Sequence, residues 1–436
     1  LYLLGQYLQP LQSGGKDTFQ RLPEIGHRLM NVAPFNGPLL LGMDSTFVNF
    51  YRDQGFAVDR VDVVPSLGTD VLNLGHVVGL TPQVKFRETY YTNTVRGNGT
   101  AHRETFWAGL EGASRLSRRF RLGGGRSVLH TIEPKVVYEY VPATDQSDIV
   151  QIDDVDDLPK KNLMTYSLSS RLLQQSSSGA PDSWLDLLIA QSYHPGSTPN
   201  RARDFFFTGT PLFGSLTQPL QPPTVPVQVN KFSDIWTRVV VGNPINIARA
   251  IDKVLTIDAF LDPYRGTFSQ WNTDLRFQYQ KEWYVEVGQR FTREGNRPRR
   301  GDIWNPISFN EVYAPTQEIQ FLTLGGAFKG PFGLIFGAKT YYDVKRGTSP
   351  ETDVVALYRN PCQCWSLGVY YIQFPDRVQY NFMVSLTGIG ATENYGTTIM
   401  KYIFGPLVIG ERGLPWPSRY GMRTTAPVTA TQPARP

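Results

Sequence analysis

A large antiparallel transmembrane β-barrel is the fold class this sequence predicts, and three observations carry the prediction. Apolar and polar side chains alternate with a period of two through segments of about ten residues, the pattern of a wall with one face in lipid and the other in water. No stretch approaches the roughly 18 consecutive apolar residues that a membrane-crossing helix needs, and helix-forming segments are nearly missing from a chain with 22 Tyr, 25 Phe, 40 Gly and 32 Pro. The links between alternating segments switch between tight turns and long loops, as in barrels whose two ends face different compartments. A soluble antiparallel sandwich also alternates, but its strands run shorter and their outer faces are less aromatic.

Each element follows from that pattern. The chain begins with LYLLGQYLQ, a partial strand. From His130 to Tyr140, Glu133, Lys135 and Glu139 share one face, and Val136, Tyr138 and Tyr140 the other. A polar loop from Pro142 to Lys160 follows, carrying Asp145, Asp148, Asp153, Asp154, Asp156 and Asp157. After a short SSSGA turn, a second long loop runs from His194 to Asp234. Between Thr267 and Tyr279, Trp271, Leu275 and Phe277 oppose Asn272, Asp274 and Arg276, and next Trp283, Val285 and Val287 oppose Glu282, Glu286 and Arg290. The first set of each pair is expected to face lipid, and Asn272, Asp274 and Arg276 the lumen. A Pro/Arg-rich loop over 294–315 precedes Leu334, Phe336 and Ala338, which alternate with Lys339. The last strand, 378–390, sets Tyr380, Phe382 and Val384 against Gln379, Asn381, Ser385 and Thr387, and Gly388 and Gly390 close it.

All three long loops fall at the same end, which reads as external; the tight turns mark the periplasmic end. About seventeen strands and the partial one suggest an even total near eighteen. The organisation expected is a partial strand and loop over 1–19, a barrel over 20–390, a C-terminal periplasmic segment over 391–412 and a disordered Pro/Thr-rich tail over 413–436.

Chemistry is harder to find. The net charge of +5 comes from 43 Lys and Arg spread along the chain with no nucleic-acid module, so no nucleic-acid partner is expected. His27, His76, His102, His130 and His194 lack metal-ligand spacing, and no GxSxG elbow occurs. RLGGGR at 121–126 reads as a turn between strands, not as a phosphate loop. No enzyme, metal site or cofactor is predicted. The aspartate run does not match a calcium loop and reads as a solvated external loop, with cations shared with lipid phosphates as the functional alternative. Cys362 and Cys364 lie at a periplasmic turn, where disulfides are favoured. A bridge between residues two apart is uncommon, so both are expected to find partners outside this chain.

Several of these segments resemble one family. IEPKVVYEYVPATDQSDI is similar to a segment of the outer-membrane lipopolysaccharide-assembly family called LptD or OstA, as are VDRVDVVPSL (58–67), TPQVKFRETYY (81–91), NPCQCWSLGVYY and FMVSLTGIG. The likeness runs from about residue 20 to about residue 400. It implies insertion of lipopolysaccharide into the outer leaflet by a barrel of about 26 strands, with a periplasmic jellyroll before it. It also implies a lateral gate between the first and last strands, with Gln379, Asn381, Ser385, Thr387, Gly388 and Gly390 on one lip. The implied partners are lipopolysaccharide, an LptE-like lipoprotein plug and the periplasmic transport-bridge proteins. The resemblance further implies that Cys362 or Cys364 bonds to an N-terminal periplasmic cysteine, although the family's cysteines are adjacent and Gln363 separates these two. A general porin or receptor-type channel is the competing class.

Overall fold

Twenty strands, every pair antiparallel, form a single sheet in the computed structural model. The structure describes residues 1–7, 19–34, 37–75, 77–121, 127–153, 155–156, 158, 160–175, 181–195, 231–242, 251–293, 318–362, 364–386, 403–404 and 407. The first strands are β1 (Tyr2–Gln6), β2 (Gln20–Val32), β3 (Leu39–Tyr51), β4 (Val58–Thr69), β5 (Leu72–Leu74) and β6 (Val78–Tyr91). Then come β7 (Ala101–Ser114), β8 (Leu116–Arg121), β9 (Ser127–Val141), β10 (Lys161–Gln175), β11 (Pro181–Tyr193), β12 (Ile235–Gly242) and β13 (Ile251–Asp262). The last are β14 (Thr267–Tyr279), β15 (Trp283–Thr292), β16 (Ile319–Lys329), β17 (Leu334–Asp343), β18 (Thr348–Arg359), β19 (Trp365–Gln373) and β20 (Val378–Leu386).

Each strand pairs with the next, except that β5 prolongs β4 against β6 and β8 prolongs β7 against β9. Twenty segments less these two continuations leave eighteen rows, which agrees with the count of alternating segments. Among the described residues the sheet is open: β1 pairs only with β2, and β20 only with β19. The connections over 142–160, 194–234 and 293–318 all lie at one end of the strands, opposite the tight turns at 280–282, 330–333 and 360–364.

The faces are arranged inside out relative to a soluble protein. Val287 is 49% exposed, Leu324 54% and Phe382 75%, whereas Thr323 is 2% exposed and Glu286, Arg290 and Lys339 are buried. Side chains of successive residues point to opposite faces, so one face of β15–β20 is apolar and open, while the other carries charge and is enclosed. A slip of one residue in any pair would turn that charged row into the lipid. The pairing from Gln270 to Tyr279 against Thr292 to Trp283 runs without a bulge.

Candidate functional site: an inturned acidic loop and a charged inner wall

The acidic loop after β9 does not stand in solvent. Its Asp156 is fully buried and Asp153 is partly covered, both drawn to Arg60 of β4. Arg60 donates from Nη1 to Asp153 Oδ1 (2.6 Å) and Asp156 Oδ1 (2.7 Å), and from Nη2 to Asp153 Oδ2 (2.9 Å). Asp156 also accepts from the Tyr91 hydroxyl and from the backbone N–H groups of Ile152 and Asp153, each at 2.8 Å. Arg21 of β2 adds a bond to Asp153 at 3.0 Å. Burial pushes the Asp153 carboxyl up, but the bonded Arg60 guanidinium and the Arg21 charge outweigh it and hold Asp153 below the ordinary carboxylate range.

Arg103 of β7 fastens the same loop by its backbone, donating to the Asp156 carbonyl (2.8 Å) and to Gln146 Oε1 (2.7 Å). Gln146 in turn spans the loop: Oε1 accepts from the Leu158 N–H and Nε2 donates to the Leu158 carbonyl, both at 2.8 Å. Beside it, Ile149 and Val150 pack with Val48, Phe50, Val58, Tyr91 and Ala101 in one buried cluster. In DQSDI, then, Asp145 caps the turn by accepting from the Ser147 N–H, Gln146 clasps, and Ile149 anchors.

The expectation of a solvated loop is therefore corrected for Asp153 and Asp156, whereas Asp145 and Asp148 are exposed. The reason is electrostatic: Arg60 and Arg103 are buried on the inner face, and a buried cation needs an acceptor that its own strand does not supply. Asp154 and Asp157 lie outside the described residues. Among the described residues no group of three or more His, Cys, Asp or Glu is placed to hold a metal ion.

A belt of ion pairs continues around the enclosed face. Asp62 accepts from Arg87 at 2.7 and 2.9 Å and from Thr89 at 2.7 Å. Lys135 meets Glu111 at 2.7 Å, Lys161 meets Glu139 at 2.6 Å, and Arg171 meets Glu133 at 2.6 Å. Further along, Arg290 donates to both Asp274 oxygens (2.7 and 2.9 Å), and Glu286 accepts from Arg276 (2.9 and 2.6 Å) and Lys339 (3.3 Å). Gly288 makes this geometry possible, since a Cβ there would sit 2.2 Å from Asp274 Oδ1. Asn272 is buried beside this network, and neither of its side-chain polar atoms has a hydrogen-bond partner among the described residues.

Cys362 and Cys364 are disulfide-bonded to each other, with Cα atoms 5.3 Å apart. Both sit in the turn between β18 and β19, and the expected bond to an N-terminal periplasmic cysteine involves a residue outside this chain. On β20, Gln379 and Asn381 each hold a buried amide nitrogen with no hydrogen-bond partner among the described residues, and Ser385 pairs with Ser366. Thr387, Gly388 and Gly390 lie outside the described residues, as does the tail over 413–436.

The fold thus brings together three stretches that are far apart in sequence: VDRVDVVPSL supplies Arg60 and Asp62, TPQVKFRETYY supplies Arg87, Thr89 and Tyr91, and DQSDI supplies the clasp. Sequence reasoning singled out the segments but not Arg60, Tyr91, Arg103 or Gln146 as partners. Nothing local to Arg60 or Arg103 in the sequence indicates what they bind.

Comparison with known proteins agrees with these segments. The family LptD, LPS transport system D, matches residues 1–321. The LPS-assembly protein LptD of Neisseria gonorrhoeae (strain ATCC 700825 / FA 1090) is 31% identical over 147 residues, covering 33% of this chain and 18% of that protein. Its counterpart in Neisseria meningitidis serogroup B / serotype 15 (strain H44/76) is 28% identical over 146 residues, with the same coverage. The match therefore spans 18% of the length of these relatives. Among solved structures, the copper transporter OprC aligns over 82% of this chain and 59% of its own at 11% identity and a TM-score of 0.33. The siderophore receptor PiuA from Acinetobacter baumannii aligns over 90% and 64% at 10% identity and a TM-score of 0.27.

Proposed function

We propose that this chain, which belongs to the LPS transport system D (LptD) family and to the bacterial outer membrane, is part of the wall through which lipopolysaccharide enters the outer leaflet. The observation that carries the reading is β20. Among the described residues it pairs on one side only, its outward Tyr380, Phe382 and Val384 are among the most exposed apolar side chains, and the side-chain nitrogens of Gln379 and Asn381 have no hydrogen-bond partner. An edge of this kind has few contacts to lose when it parts from a neighbour.

In this mechanism the two halves of the lipid part company by solvation. Acyl chains move sideways past β20 into the bilayer, and the sugars stay with the hydrated, ion-paired inner wall. No bond is made or broken by this chain. The inturned acidic loop covers the lumen at the long-loop end, so that a wide interior does not become an open pore. A lipoprotein plug in the lumen and periplasmic bridge proteins that supply the lipid are the partners this reading requires. A porin or receptor-type channel would share the wall; the family match over residues 1–321 is what favours the assembly reading.

The test is a disulfide engineered between β20 and the first barrel strand of the complete protein. Locking the seam is expected to abolish delivery of lipopolysaccharide to the cell surface with the barrel still folded, and reduction to restore it. Full delivery through a seam verified as locked would return the channel reading to first place.

A further inference from the structure

We infer that the short turns at the long-loop end form a row of arginine stations that hold phosphate-bearing lipid headgroups. The inference needs only that this end faces the outer leaflet, as the loop lengths indicate, and it stands whatever the barrel transports. The short links at that end, over 52–57, 92–100, 263–266, 344–347 and 374–377, each contain an arginine. At the opposite end only the links over 122–126 and 243–250 do. Arg52 is turned back, its guanidinium lying over the Phe19 and Phe56 rings, but Arg96, Arg265, Arg346 and Arg377 are exposed.

Two of these stations are the same turn built twice. DPYRGT (262–267) and DVKRGT (343–348) share Asp, Arg, Gly and Thr at matching positions. In each, the buried aspartate accepts at Oδ1 from two backbone N–H groups of its own turn. These are Tyr264 (2.8 Å) and Arg265 (3.2 Å) in the first, and Lys345 (2.9 Å) and Arg346 (3.1 Å) in the second. The glycine N–H closes the turn on the aspartate carbonyl at 2.9 and 2.8 Å, with φ of +63° at Gly266 and +67° at Gly347, where a Cβ would be strained. The arginine before it does not close the turn. Its Nε stands 3.7 Å (Arg265) or 3.8 Å (Arg346) from the aspartate Oδ2, beyond a hydrogen bond, and its side chain is 66% or 63% exposed. A turn already held by its backbone has no structural need for a cation there. A guanidinium offered from a fixed place matches phosphate oxygens with its paired N–H donors. Exposed Tyr264 and Val344 beside it supply an apolar footing of the kind that suits the level where headgroups meet acyl chains. With β15 and β16 between the two hairpins, strand spacing sets the turns roughly 19 Å apart across the sheet, so each takes its own headgroup.

The test is electron spin resonance of spin-labelled lipids around the complete protein in phosphatidylcholine vesicles, which reads lipid association apart from transport. Labelled phosphatidic acid is expected to be held about threefold more strongly than labelled phosphatidylcholine. Arg265→Gln with Arg346→Gln should remove at least half of that preference, and each single change a smaller share. Arg265→Lys with Arg346→Lys should keep most of it, and Lys281→Gln, at the opposite end, should leave it unaltered. An undiminished preference in the double glutamine variant, or an equal loss in Lys281→Gln, would overturn the stations. So would suppression of the preference by inorganic phosphate at constant ionic strength, which marks a site for free anions instead of headgroups. Should the double variant fail to fold, the two single variants decide, an undiminished preference in both again overturning the assignment.

Discussion

Arg60→Leu is expected to free the acidic loop and to destabilise the protein by about 3–5 kcal/mol, the usual cost of removing one partner from a buried charge cluster. Asp156 has no access to water and Asp153 little, so the substitution leaves two carboxylates enclosed without their shared cation. The loop then gains by swinging out, taking Ile149 and Val150 from their cluster with Val48 and Phe50. Protease cleavage within 142–160 and the thermal midpoint of the purified protein report the two effects. A further Asp156→Asn change should recover part of the loss, since neighbours in one network do not add. Acid acts in the same direction. Because Asp153 is held below the ordinary carboxylate range, its contribution is full above about pH 4 and is lost as the pH falls through its folded-state value. A loop that stays protected in Arg60→Leu would refute the clasp.

Glu286→Ala is expected to cost a similar amount, again about 3–5 kcal/mol. This carboxylate stands between Arg276 and Lys339 on the enclosed face, and its removal strips Arg276 of the acceptor it holds at 2.9 and 2.6 Å. The neighbouring Asp274 is already engaged by both its oxygens with Arg290 and does not substitute. Glu286→Gln should cost less, keeping an acceptor while losing the charge. Urea unfolding from lipid vesicles measures the difference, and the double change with Arg276→Ala should cost less than the two single changes together.

The wall was legible in the sequence because its signal is local. Val285, Glu286 and Val287 are enough to set a period of two, and the pairing of β14 with β15 follows from keeping Asp274 and Glu286 on one side. The end that carries the long loops was legible for the same reason, from connection lengths alone. The clasp was not: Arg60 and Asp156 lie 96 residues apart, and nothing in either segment names the other. Solvation of the aspartates was the natural reading of a polar loop, and it failed where buried arginines on other strands compete with water for them. The i, i+2 bridge was discounted as uncommon because nothing in the sequence gives the geometry of the turn between β18 and β19, which closes one.

The central claim is that the wall is inside out, and a nitroxide scan from Trp283 to Thr292 along β15 of the complete protein in lipid tests it most directly. Collision with dissolved oxygen, which concentrates in the bilayer, should be high at Trp283, Val285 and Val287 and low at Tyr284, Glu286, Gly288 and Arg290, with a clean period of two. A flat profile, or one in which Glu286 meets oxygen more often than Val287, would contradict the account.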